Sequence, residues 1–187
     1  MRSPRPPKSR FARRFERPPA PAGTALPPPA SHPTGRTEGY LLLRRPIVAP
    51  SPGISLPEGV TLVPLDAADA PLVHRLLKAA YASGFGTVPE SVLAWWKLVT
   101  TDSEFDRNLA TVARAGDEVI GFCLCWTSGF VKDLAVDARW RHRGIASALL
   151  ANAIESLARR GCEEVALKVD IYNAPAQRLY RRFGFEP

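Results

Sequence analysis

Three cysteines in 187 residues are too few for a disulfide framework. Cys123 and Cys125 stand two apart, on one face of a predicted strand, and Cys162 is distant. With no Cys-x-x-Cys or His-x-x-x-His beside them, no metal site is expected. They read as small buried residues in a reducing cytosol. Long apolar runs are also missing: none approaches the roughly 18–20 residues of a membrane span, so a soluble, cytoplasmic protein without a membrane partner is expected. Two common phosphate-binding signatures, G-x-x-x-x-G-K-[ST] and G-x-G-x-x-G, do not occur. No internal repeat is visible.

Acidic residues are scarce at one end only. The chain has 25 basic and 18 acidic residues, for a formal net charge of +7. Residues 1–36 hold eight of the basic residues and one acid, Glu16, so the rest of the chain is neutral. That segment also carries ten of the nineteen prolines. Proline fixes φ and removes a donor, so 1–38 is expected to be a disordered Pro/Arg-rich tail. Its charge could attract RNA, DNA or an acidic surface; otherwise it is a dispensable extension. Nucleic acid is not expected as a partner elsewhere. Residues 39–58, with prolines at 46, 50, 52 and 57, read as a linker with room for one short strand in "YLLLRRPIV". A domain is expected over 59–187.

Within that domain "VTLVPL" suits an edge strand, where Pro64 is tolerated. Leu72, Val73, Leu76, Leu77, Ala80 and Tyr81 recur at helical spacing after Asp69 and Pro71. "ASGFGTVP" breaks that helix and "ESVLAWWKLV" starts another. Two β-rich runs joined at Gly116-Asp117 read as a hairpin, followed by a strand over 129–136. A helix over 145–160, a strand over 163–170 and a helix from 174 complete the order β-α-α-β-β-β-α-β-α. This is an α/β arrangement with an antiparallel centre and one parallel crossover.

The stretch "RWRHRGIASALL", residues 139–150, sits where the 129–136 strand runs into the long helix. The first turn of a helix leaves amides unpaired and concentrates positive potential. Gly144 lacks a Cβ, so a ligand can approach the backbone there. Ala146, Ser147 and Ala148 keep the turn clear, while Arg141 and Arg143 add full charges. Two readings fit: a pyrophosphate site or a capped helix behind a solvated charge run.

"LAVDARWRHRGIASALL" resembles the cofactor motif of the GNAT superfamily of acetyl-CoA-dependent N-acetyltransferases. There, R/Q-x-x-G-x-G/A follows an L-x-V strand, here Arg141-x-x-Gly144-x-Ala146 after Leu134-x-Val136. "NAPAQRLYRRFGFEP" resembles the second segment of that family, through Asn173, Ala176, Leu179, Tyr180, Gly184 and Phe185. The detailed match covers 122–187 and the looser layout reaches back to about 59. The resemblance implies an α/β (α+β) GNAT-like fold, a mixed, mostly antiparallel sheet flanked by helices. It implies acetyl-CoA as co-substrate, its pyrophosphate held by Arg141, His142, Arg143, Gly144, Ile145, Ala146 and Ser147. The pantetheine arm would run along Leu134, Ala135 and Val136, with an amide near Leu134 polarising the thioester carbonyl. Asn173 would contact that arm or order its loop, and Tyr180 would bind the cofactor and protonate the leaving thiolate.

Some of these residues have simpler readings. Tyr180 could be ordinary helix packing, Asn173 a helix cap, and Trp95 and Trp96 core and rim. His74 reads as a core or surface histidine. The base that takes the amine proton is expected to be Asp133, then Asp170, although either suits a solvated strand-end carboxylate. The acceptor is expected at the break over 81–89, near Trp95 or Trp96, and to be a small amine, an amino-acid derivative or a protein N-terminus. Direct attack in a ternary complex is the expected course. The alternatives are a non-catalytic acyl-CoA-binding module and a nucleic-acid-associated protein working through its tail. One departure stands out: the family continues past G-F with a strand pair, whereas this sequence stops at Pro187. The 165–169 strand would then have a bare edge, left by truncation or covered by 40–48 or by a partner, a second copy in a homodimer included.

Overall fold

The structure is a computed structural model that describes residues 39–48 and 54–187. The proposed tail over 1–38 lies outside the described residues. Its sheet has six strands: β1 (Tyr40–Pro46), β2 (Val60–Pro64), β3 (Phe105–Ala115), β4 (Glu118–Trp126), β5 (Phe130–Val136) and β6 (Glu164–Asp170). Their spatial order is β1-β6-β5-β4-β3-β2. Only the β5–β6 contact is parallel; the other neighbours are antiparallel. Four helices flank it: α1 (Ala70–Tyr81), α2 (Val92–Thr100), α3 (Ile145–Arg159) and α4 (Ala174–Arg182). This is the mixed, mostly antiparallel sheet that the motifs imply.

Two core clusters divide the interior. Ile145, Leu149, Ile154 and Leu157 of α3 pack with Val165, Leu167, Tyr180 and Phe183. Val73, Leu76 and Leu77 of α1 pack with Trp95 of α2 and with Val112, Phe122, Leu124 and Ala135. Helical spacing on one side and strand alternation on the other thus meet as two apolar layers. The cysteines are free, with Cys123 and Cys125 buried in β4.

Of the readings offered for the 165–169 edge, the structure bears out coverage by 40–48. β1 runs antiparallel along β6 from Tyr40↔Asp170 to Pro46↔Glu164. The sheet therefore begins at Tyr40, ahead of the expected domain start at Gly59. The prolines limited this strand to a short one in the sequence reading, and Pro46 falls at its last position, where a lost donor matters least. Leu43 is fully buried in the α3 cluster. Beyond β1, Arg44 and Glu186 exchange two backbone hydrogen bonds, at 2.7 and 2.9 Å. The segment after Gly184 thus reaches the far side of β1 rather than β6.

Two irregularities shape the middle of the sheet. β5 and β6 pair only at Phe130↔Ala166 and Val131↔Leu167. Past those positions the 132–136 edge has no strand partner on its β6 side. Across β4, the register steps from Cys125↔Val131 to Leu124↔Asp133, so β5 carries a one-residue bulge at Lys132. The bulge changes which side the following residues face. Val131 belongs to the α3 cluster, whereas Ala135 belongs to the α1 cluster.

Candidate active site

Gly144 ends the turn between β5 and α3 in a left-handed conformation, φ +82°. A Cβ at this position would meet nothing within 4 Å. Packing therefore does not demand a glycine here; the conformation does, and the open space lies over the helix start. His142 is also left-handed, φ 62°, a conformation that histidine tolerates better than most residues. The first α3 amide bonded into the helix is that of Ala148, 2.9 Å from the Gly144 carbonyl. The amides of Ile145, Ala146 and Ser147 have no backbone acceptor among the described residues. No side chain caps this helix. Bare amides under a left-handed glycine make a cradle of the kind that can accept an anion, and no side chain supplies the cap that the alternative reading invokes.

The basic run around the cradle divides its work. Arg139 pairs with Glu118 and, at 2.9 Å, with Asp137, which fixes the short 3-10 turn Ala138–Trp140. Its hydrogen bonds hold the Asp137 carboxyl below the usual range. Arg141 donates from Nε to the Val136 carbonyl at 3.4 Å. The Arg143 guanidinium lies 4.9 Å from the centre of the Trp140 ring, a cation–π stack. Arg141, His142 and Arg143 are exposed at the cradle's mouth. A pocket of about 330 Å³ opens beside them, between α1 and the turn, lined by Arg75, Leu76, Ala80, Val136 and Arg141 among others. Asp133, Tyr81 and Tyr180 do not line it, and Asp117, Glu118 and Asp137 do.

Leu134, Ala135 and Val136 form the β5 edge that parts from β6. Where the two strands separate, ionisable groups gather. Asp133 is only 4% exposed, so the solvated strand-end reading is corrected. Its Oδ1 accepts a 2.7 Å hydrogen bond from the Tyr81 hydroxyl, and Lys132 Nζ lies 3.8 Å away. Burial first, and the Asp133 carboxylate second, push the Tyr81 phenol well above the ordinary tyrosine range. Tyr180 is 8% exposed, its ring 5.9 Å from that of Phe185. Its hydroxyl makes no hydrogen bond among the described residues. Burial, then the nearby Cys123 thiol, raises it as well. A buried phenol without a partner is costly, and here it stands beside the strand opening.

Other candidates have structural duties. Asn173 Oδ1 accepts from the Ala176 amide at 3.2 Å and caps α4. Asp170 is buried rather than solvated, and its Oδ1 accepts from the Tyr172 amide at 2.7 Å, holding the turn into α4. His74 is a core histidine whose Nε2 donates to the Pro89 carbonyl at 2.7 Å. Trp95 is core and Trp96 half-buried. Tyr81 is the residue the sequence left unassigned: helical spacing placed it on α1, and only the bulge at Lys132 turns Asp133 towards it.

A family model described as the acetyltransferase (GNAT) family matches residues 70–185. The chain is 33% identical over 86 residues to N-alpha-acetyltransferase 30 of Xenopus laevis, a match covering 42% of this chain and 32% of that protein. It is also 33% identical over 164 residues to mycothiol acetyltransferase of Clavibacter michiganensis, covering 80% of this chain and 51% of the relative. Among solved structures it resembles a GCN5-related N-acetyltransferase from Sphaerobacter thermophilus, with a TM-score of 0.67 and 28% identity. That likeness covers 79% of this chain and 47% of the other. The chain thus spans between a third and about half the length of these relatives.

Proposed function

This chain belongs to the GNAT acetyltransferase family, and from that premise we propose that it transfers the acetyl group of acetyl-CoA to a primary amine by direct attack. The observation that carries the reading is the parting of β5 from β6, with bare amides at one end and a buried carboxylate and phenol near the other. The open space over Gly144 fits a diphosphate against main-chain amides. Ile145, Ala146 and Ser147 would hold it through N–H groups, with Arg141, His142 and Arg143 at the rim. The unpaired edge of Leu134, Ala135 and Val136 would take the amide-bearing arm. When bound, acetyl-CoA supplies the activated acetyl group.

The chain's own residues would then manage two protons. An alkylammonium has a reference pKa near 10.4 and must lose a proton before it can attack. Asp133 would take that proton, and a main-chain amide near Leu134 would stabilise the developing oxyanion. Such a donor is worth about 3–4 kcal/mol. Tyr180, held in its protonated form, would hydrogen-bond the leaving sulfur and surrender its proton as the thiolate forms. Asn173 would act indirectly, by capping α4 and so fixing Tyr180.

The acceptor belongs near the segment between α1 and α2. Relatives named for N-alpha-acetyl transfer favour an α-amine, on an amino-acid derivative or a protein N-terminus, as acceptor. The test is thiol release from acetyl-CoA over a panel of amines and peptides. Tyr180→Phe is expected to lower turnover by roughly 10²–10⁴-fold while acetyl-CoA affinity holds. Affinity with no turnover on any acceptor would leave a binding module instead.

A further inference from the structure

We infer that Tyr81 is the positioning residue of the active site, holding Asp133 so that one carboxylate oxygen is left for the acceptor's proton; this rests on Asp133 acting as base. A buried carboxylate needs donors. Here Oδ1 takes the Tyr81 hydroxyl at 2.7 Å and faces Lys132 Nζ at 3.8 Å, while Oδ2 has no hydrogen bond among the described residues. The groups facing Asp133 are Tyr81 from α1, Lys132 from its own strand and Cys123 from β4. Of these, only the phenol reaches hydrogen-bond distance. Because the phenol stays protonated, it acts as a donor at every working pH.

The surroundings fix this phenol from the other side. Gly86 lies against the Tyr81 ring, so that a Cβ at 86 would stand 2.9 Å from Tyr81 Cγ. The same segment is tied to α1 by the His74 bond to the Pro89 carbonyl and by the Lys78–Glu90 ion pair. Tyr81 is therefore gripped between a pinned loop and the bulged strand. With Oδ1 engaged, Oδ2 of Asp133 takes a proton from the acceptor ammonium. The freed nitrogen lone pair would bond to the acetyl carbon, the bond from that carbon to sulfur would break as the sulfur takes the Tyr180 proton, and the second ammonium proton would return to the Tyr180 oxygen.

The test combines spectroscopy and kinetics on the full chain. With ¹³C-labelled aspartate, the Asp133 carboxyl signal is recorded at one pH in wild type, Tyr81→Phe and Gly86→Ala. Loss of the donor removes a charge-assisted hydrogen bond from Oδ1, so the resonance is expected to shift in Tyr81→Phe. Gly86→Ala, which crowds the ring without touching Asp133, should move it the same way. Turnover in Tyr81→Phe should fall roughly 10- to 100-fold, with acetyl-CoA affinity unchanged and no further loss when combined with Asp133→Asn. An unmoved resonance in both variants, or losses that simply multiply with Asp133→Asn, would overturn the inference. An inert wild type whose Asp133 signal still moves would instead overturn acetyl transfer and uphold the pair.

Discussion

At the residue scale, Gly144 and Tyr180 carry the sharpest consequences. An L-residue at φ +82° costs about 1–2 kcal/mol, so Gly144→Ala should lower stability by that much in denaturant unfolding. It should also weaken acetyl-CoA binding in calorimetry, because the added methyl enters the empty space over the amides. Tyr180 and Tyr81 are both raised, chiefly by burial. A raised phenol stays neutral as pH climbs through about 10, the ordinary tyrosine value. Phenolate absorbance near pH 10 should therefore be unchanged when either is replaced by Phe. A clear drop in either variant would show that the phenol had already ionised there.

At the element scale, β1 separates what the sequence discloses from what it hides. The hairpin at Gly116-Asp117, the apolar stripe of α3 and the glycine before it were legible, because each is a local pattern. The cradle was legible for the same reason: its glycine, small residues and helix start are consecutive. β1 was read only as a linker with room for one short strand because its partner, β6, lies more than a hundred residues away, and only pairing reveals that Leu43 is core. Asp133 was legible as a candidate base, but its contact with Tyr81 was hidden, since their meeting depends on a bulge no spacing rule encodes. Leu43→Ala should cost about 2–5 kcal/mol in denaturant unfolding, as for a fully buried leucine. The Asp137–Arg139 tie makes a smaller contribution, as befits so exposed a pair. With Asp137 lowered, that contribution is present above about pH 4 and lost as pH falls below it. Asp137→Asn should flatten this part of the stability–pH curve.

At the scale of the whole molecule, the charge imbalance and the chemistry occupy different stretches. The basic excess lies in residues 1–36, whereas the cradle, the strand opening and the ionisable cluster all fall between 81 and 180. A variant beginning at Gly39 should keep wild-type acetyl-CoA affinity. One beginning at Ile54, which lacks β1, should lose its cooperative unfolding transition in circular dichroism. Any salt-sensitive affinity for RNA or DNA should vanish in the Gly39 variant. Among the described residues no helix is long and apolar enough to cross a membrane.

Trp140, with the Arg143 guanidinium resting on its face, gives the protein a built-in optical gauge. Trp95 is deeply buried, but the Trp140 indole shares its face with an exposed cation. An anion arriving on the neighbouring amides would compete for that cation and alter the indole emission in step with occupancy. Titrating the coenzyme against Trp140→Phe and its parent would thus convert a stacked pair into a fluorescence isotherm, without labels and without turnover.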